Sequence, residues 1–147
     1  MDKLQVLEPM FIDFGGEAVF EGEIYTLKVF EDNTLVRTAL EMDGTGKVLV
    51  IDGGASMRCA LVGGNLVALA VKNNWRGIVV YGCIRDSREI SELPMGVKAL
   101  NTNPTKSLKR NEGQQNIAVR FAGADIRPGA YLYADEDGIV VSDLQLL

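Results

Sequence analysis

Two short, continuous apolar runs rich in β-branched residues, Lys47-Val-Leu-Val-Ile51 and Ile78-Val-Val-Tyr81, predict strands buried on both faces. Between them, Leu66-Val-Ala-Leu-Ala-Val-Lys-Asn-Asn74 predicts a helix over 65–74, and its nearly all-apolar middle predicts burial on most sides. Strand 47–51, helix 65–74 and strand 77–82 then form a βαβ crossover, right-handed by the usual rule. Upstream, residues 18–30 mix period-two alternation with β-branched and aromatic side chains, which predicts one or two strands with a turn near Gly22. Asp32-Asn33-Thr34 offers an N-cap ahead of Leu35, Val36, Ala39 and Leu40, a stripe at helical spacing, and Gly44 is the expected stop.

Beyond Pro94 the pattern is mainly β, with strands expected at Val97–Asn101, Asn116–Phe121, Tyr131–Ala134 and Ile139–Ser142. Pro128-Gly129 suits a type II turn and Asp137-Gly138 a tight hairpin. No linker or low-complexity tract divides residues 1–147, and the glycine phrases Phe14-Gly-Gly, Ile51-Asp-Gly-Gly and Val62-Gly-Gly recur at irregular spacing, so they punctuate one domain. The expected fold is a compact, three-layer α/β domain with a mixed sheet.

Composition narrows the chemistry. The 147 residues contain no histidine, which excludes His-based triads and the commonest zinc sets, so any metal should be a hard ion on oxygen ligands, Mg²⁺ or Mn²⁺. Twenty acidic against fifteen basic residues give a net charge of −5 without a basic stripe, which argues against direct nucleic-acid binding. No run is long enough to span a membrane, and the start Met-Asp-Lys-Leu-Gln lacks a leader pattern, so a cytoplasmic protein is expected. Cys59 and Cys83 sit in apolar surroundings and read as reduced core thiols, with a disulfide as the alternative.

The candidate chemistry gathers at two points. Gly63-Gly64-Asn65-Leu66 opens the 65–74 helix, where glycines allow close approach and first-turn N–H groups point outward at an anion. A glycine turn with an Asn cap is the simpler alternative. Arg85-Asp86 follows the second buried strand, and strand C-terminal ends are the preferred ligand crevice of α/β folds. The other reading of this pair is a surface ion pair with Arg88 or Glu89. A βαβ unit lets the glycine turn and Arg85-Asp86 face each other, joining neutral donors to a guanidinium fork and a carboxylate. Asp52-Gly53-Gly54 is a third candidate, read first as a turn, with Arg58 either adding positive charge or pairing with Asp52 or Glu41. Tyr81 reads as core. Lys106, Lys109 and Arg110 form a small cluster in a Pro/Asn-rich segment, read as a solvated loop rather than a phosphate site.

Taken together, Phe14-Gly-Gly, Val29-Phe-Glu-Asp-Asn33, Val50-Ile-Asp-Gly-Gly54, Ala60-Leu-Val-Gly-Gly-Asn-Leu66, Gly77-Ile-Val-Val-Tyr-Gly82, Arg85-Asp86 and Leu132-Tyr-Ala-Asp135 resemble the RraA-like family. That family joins the regulator of ribonuclease activity A to the 4-hydroxy-4-methyl-2-oxoglutarate aldolases. The resemblance implies an α/β/β/α-type sandwich assembled as a homotrimeric ring or a hexamer. It also implies substrate binding by Gly63, Gly64, Asn65, Leu66 and Arg85, with Asp86 helping to hold a divalent metal; Arg85 and Asp86 are the implied catalytic pair. One departure stands out: active aldolases of this type tend to carry an acidic residue separated by twenty residues from the Arg-Asp pair, where this chain has Gly64 followed by Asn65. Glu89 is intact.

Two functions follow from different classes. The first is a metal-dependent lyase that cleaves a 4-hydroxy-2-oxo acid, or decarboxylates oxaloacetate, through a pyruvate enolate whose negative charge a metal and Arg85 would stabilise. The second is a regulator that binds an RNA-processing endonuclease, an acidic ring attracting basic partner segments in a salt-dependent way.

Overall fold

A computed structural model of the chain describes residues 4–147; Met1, Asp2 and Lys3, part of the start read for a leader pattern, lie outside the described residues. The two apolar runs are β4 (Lys47–Asp52) and β6 (Gly77–Ile84), adjacent and parallel, with Leu49 beside Ile78 and Val50 beside Val79. Their side chains divide by parity. Leu49, Ile51, Ile78 and Val80 enter one hydrophobic cluster while Val48, Val50 and Val79 enter another on the opposite face, which is why both strands read as unbroken apolar runs.

β3 (Phe20–Lys28) pairs parallel to β4 on its other side. It is one nine-residue strand, so the turn expected near Gly22 is absent. A Cβ at Gly22 would lie 2.7 Å from the Gly46 carbonyl oxygen, so this glycine serves close backbone approach instead. α1 (Thr34–Leu40) starts where expected, and within Asp32-Asn33-Thr34 it is Asp32 that makes the bonds: its carboxylate accepts the Thr34 N–H at 2.9 Å and the Thr34 hydroxyl at 2.7 Å, while Asn33 at the N-cap position makes no capping bond. Gly44 lies beyond the helix, and its missing side chain makes room for the Trp75 ring.

The crossover differs from expectation in one respect. A three-residue strand, β5 (Ala60–Val62), pairs parallel with β6, so α2 (Gly64–Lys72) joins β5, and not β4, to β6. Three residues are too few for an alternation signal. Burial of α2 is one-sided: Gly64, Leu66, Val67 and Ala70 are buried, while Asn65, Ala68 and Lys72 are exposed, so the apolar run overstated its burial.

After α3 (Ser87–Ser91), β7 (Gly96–Thr102) continues the parallel set beside β6. The antiparallel remainder comprises β1 (Leu4–Val6), β2 (Ile12–Asp13), β8 (Gln114–Gln115), β11 (Tyr131–Asp135) and β12 (Gly138–Ser142), with β9 (Val119–Phe121) and β10 (Ala124–Ile126) as a separate ribbon. Gly129 has φ +86° and the Ala130 N–H reaches the Arg127 carbonyl at 3.2 Å, as a type II turn requires. The β11–β12 hairpin turns one residue earlier than expected: Asp135 opposes Gly138, leaving Glu136-Asp137 as the loop, closed by the Asp137 N–H on the Asp135 carboxylate at 2.8 Å.

Among the described residues the result is a mixed α/β fold around a ten-stranded mixed sheet. Val36, Leu40, Val67, Ala70 and Ile90 of the helices fill the cluster on one face, and Phe121, Ala124 and Ile126 of the ribbon fill the other. Tyr81 is half-buried on the ribbon side, its ring stacked on Phe121 at 4.6 Å. Both cysteines are free and buried. Among the described residues no helix is long and apolar enough to cross a membrane.

Candidate functional site

β5 and β6 run side by side and end together, and the Arg85 N–H donates to the Val62 carbonyl at 2.9 Å, locking the two exits. β5 leads directly into the Gly63-Gly64 start of α2, while β6 leads into Arg85-Asp86. The two predicted points therefore meet. The Asp86 Oδ2 accepts the Gly64 N–H at 2.9 Å, and a Cβ at Gly63 would lie 3.0 Å from that oxygen and 3.3 Å from the Arg85 Nε. Among the described residues neither Arg85 nor Asp86 forms an ion pair with Arg88 or Glu89.

The backbone explains how Asp86 reaches across. Asp86 stands at the N-cap of α3 but adopts left-handed angles, φ 61° and ψ 41°, instead of the extended conformation usual at a cap. Its side chain makes no capping bond to α3 and caps α2 instead. The first intrahelical bond of α2 runs from the Val67 N–H to the Gly63 carbonyl, which leaves the Asn65 and Leu66 N–H groups without intrahelical acceptors. Uncommitted donors, a guanidinium and a carboxylate thus share one corner.

That corner opens on a cleft of about 350 Å³. Gly63, Asn65, Leu66, Arg85 and Asp86 form one wall; Gly64 does not line it. Above Gly64 lies the Glu89 carboxylate, in the space a side chain at position 64 would enter. Asp86 sits at a boundary, since it also lines a shallow depression shared with Glu89 and Glu92.

The opposite wall was not expected. Asn33, Thr34 and Arg37 from the start of α1 meet Lys106, Ser107 and Lys109 from the segment read as a solvated loop. That segment is anchored by Asp32, which is 2% exposed and accepts the Arg110 N–H at 2.7 Å and the Glu112 N–H at 3.2 Å besides its bonds to Thr34. Burial pushes the Asp32 carboxyl up, but the hydrogen bonds from Thr34, Arg110 and Glu112 outweigh it and hold the group below its ordinary value. The Lys109 Nζ donates to the Asn33 Oδ1 at 3.1 Å. Asp-Asn-Thr was the legible half of this arrangement; its distant partner left no local signal.

The remaining candidates stay apart. Asp52 is buried and accepts the Gly54 N–H at 3.0 Å, a turn role, and does not line the cleft. Arg58 pairs with neither Asp52 nor Glu41: its Nε lies 2.6 Å from the Glu31 carboxylate, and its guanidinium covers the Phe30 ring. Among the described residues no three Asp, Glu or Cys side chains converge as a metal cage. Asp86 commits Oδ2 to Gly64 and leaves Oδ1 available. One monodentate carboxylate suits a hydrated hard ion, as Mg²⁺ is commonly held.

A family model described as RraA-like, Aldolase/RraA, matches residues 2–141. A protein of Aromatoleum aromaticum named "Putative 4-hydroxy-4-methyl-2-oxoglutarate aldolase" is 57% identical over 145 residues, 99% of this chain and 91% of its own length. One of the same name from Dechloromonas aromatica is 59% identical over 139 residues, 95% of this chain and 85% of its own. Among solved structures, a Geobacillus kaustophilus protein described as an S-adenosylmethionine:2-dimethylmenaquinone methyltransferase superposes with TM-score 0.97 at 48% identity, covering 99% of this chain and 90% of that one. The RNA-processing inhibitor RraA from Thermus thermophilis superposes with TM-score 0.94 at 45% identity, covering 96% and 86%.

Proposed function

The chain belongs to the RraA-like family, and from that premise we propose that it is a carbon–carbon lyase, a divalent-metal-dependent 4-hydroxy-4-methyl-2-oxoglutarate aldolase that also decarboxylates oxaloacetate. The observation that carries this reading is the convergence of Arg85, Asp86 and the open N–H groups of α2 in one cationic cleft. In the aldol cleavage the C3–C4 bond breaks, its electron pair passes to C3 and the 2-oxo group, and the 4-hydroxyl gives up its proton; one pyruvate leaves as a ketone and the other as its enolate. Loss of carbon dioxide from oxaloacetate yields the same enolate. Both reactions place new negative charge on the 2-oxo oxygen, where fixed donors are most effective.

Arg85 and the Asn65 and Leu66 N–H groups would hold the 1-carboxylate and orient the 2-oxo group toward Asp86. A divalent ion held by Asp86 would supply Lewis-acid stabilisation of the enolate oxygen. The Asp86 bond to Gly64 keeps the free carboxylate oxygen directed and the corner rigid. S-adenosylmethionine carries a sulfonium cation, which suits this cleft less well than an anionic oxo acid does. The test is pyruvate release from 4-hydroxy-4-methyl-2-oxoglutarate and from oxaloacetate, with and without Mg²⁺ or Mn²⁺. Release from both, abolished by chelator and restored by metal, is expected; no release with metal present removes the reading.

The 45% identity to an RNA-processing inhibitor favours a second reading, a regulator that binds an endonuclease. Its acidic charge would make the complex tighten at low ionic strength. Absence of endonuclease binding at low salt would sink it.

A further inference from the structure

We infer that the cleft contains a second anion subsite, built from Lys106, Ser107, Lys109 and Arg37, which takes the distal carboxylate of a dicarboxylic 2-oxo acid whose near end sits at Arg85. This rests on the oxo-acid reading of the same cleft and adds to it the residues that select the substrate's second charge.

The first observation is one of charge. The protein is acidic, with net charge −5, yet the cleft is lined by Arg37, Arg85, Lys106 and Lys109 against only Glu41 and Asp86. Arg85 lies beside the α2 N-terminus on one wall, and the other three cations belong to the opposite wall. Cations brought to one cleft from different segments of the chain suit a ligand with more than one negative group.

The second observation is a hydroxyl. Ser107 is only 8% exposed and lines the cleft, and its Oγ is the one buried side-chain nitrogen or oxygen without a hydrogen-bond partner among the described residues. Burying a hydroxyl unpaired is costly, so natural sites rarely keep one unless a ligand or water completes it. A turn of that hydroxyl toward the cleft would offer its proton to a carboxylate oxygen held by Lys106 and Lys109.

The third observation is rigidity. The loop is tied down on both sides of Ser107: the Ala60 N–H reaches the Thr105 carbonyl at 2.9 Å, the Leu108 N–H reaches the Glu31 carbonyl at 3.0 Å, and Asp32 holds the Arg110 and Glu112 N–H groups. A preorganised donor set loses less entropy on binding than a free loop does. The cleft, about 350 Å³, can accommodate a ligand that touches both walls.

The test compares an aldol with a second carboxylate, 4-hydroxy-4-methyl-2-oxoglutarate, against one without it, 4-hydroxy-2-oxopentanoate, as the ratio of kcat/KM values in Lys106→Met, Lys109→Met and Ser107→Ala. Each lysine variant should lower the preference for the dicarboxylate about tenfold to a hundredfold, the scale of one charge-assisted bond; Ser107→Ala should lower it less. A preference within twofold of wild type in both lysine variants overturns the subsite. Calorimetric binding of 2-oxoglutarate and pyruvate to the same proteins separates the two readings. A wild type that turns over no aldol, yet binds 2-oxoglutarate at least tenfold more tightly than pyruvate and loses that margin in the lysine variants, fails the lyase reading and keeps the subsite. A wild type without that margin overturns the subsite whatever its turnover.

Discussion

One wall of the cleft, Gly63 to Leu66 with Arg85 and Asp86, comes from the ends of two paired strands and the start of the helix that joins them. The other, Asn33 to Arg37 with Lys106 to Lys109, unites segments whose anchoring contact, Asp32 with Arg110, spans 78 positions of sequence. The first wall is fixed by chain connectivity, since any β–helix–β unit places the helix start near the strand exits. The second is fixed by one buried carboxylate that gathers four hydrogen bonds. Damage to the first should therefore appear in chemistry, and damage to the anchor of the second in stability.

The largest effect expected is on the first wall. Asp86→Ala removes both the free carboxylate oxygen and the acceptor of the Gly64 N–H, and metal-dependent pyruvate release should fall about a thousandfold or more. Asp86→Asn sharpens the comparison, because its amide oxygen can still accept from Gly64 while the charge is gone. Loss of turnover in both variants assigns the effect to the carboxylate. Full turnover in the asparagine variant would reduce Asp86 to a cap.

On the second wall, Asp32→Asn should cost about 3 kcal/mol, because the part-buried N–H groups of Thr34, Arg110 and Glu112 lose a charged acceptor. For a chain of this size that is roughly 6–12 °C in Tm by calorimetry. The pH dependence has a definite sign. The folded-state pKa of Asp32 lies below its ordinary value of 3.8, so its contribution is present above that value and is lost as the pH falls through the folded pKa. The wild type should accordingly lose stability faster than the asparagine variant below about pH 4. Parallel acid-unfolding curves would contradict this anchor.

The same contrast explains what could be read from sequence. β4, β6 and the Gly63–Leu66 turn were legible because long apolar runs and paired glycines are local signals. β5 was not, because three residues carry no period, and its insertion altered the crossover while preserving the juxtaposition it predicted. Lys106 and Lys109 are exposed, as the solvated-loop reading expects, but nothing nearby in sequence announces that Asp32 will capture their loop. Ser107 was invisible for the same reason: an orphan hydroxyl is a property of packing.

The smallest effect tests whether the first wall depends on its glycine. A Cβ at Gly64 would overlap the Glu89 carboxylate, the free end of a flexible and exposed side chain, so Gly64→Ala should leave stability within about 1 kcal/mol of wild type. What it should change is the position of that carboxylate. This chain lacks an acidic side chain at 64 but carries the Glu89 carboxylate over the same helix start, beside the depression it shares with Asp86. Gly64→Ala and Glu89→Gln should then each lower kcat by a similar factor of about three to ten, and the double variant should fall no further, because both act on one group. Losses that multiply in the double variant would show that glycine and glutamate serve the corner independently. The space above Gly64 would then be only a matter of packing.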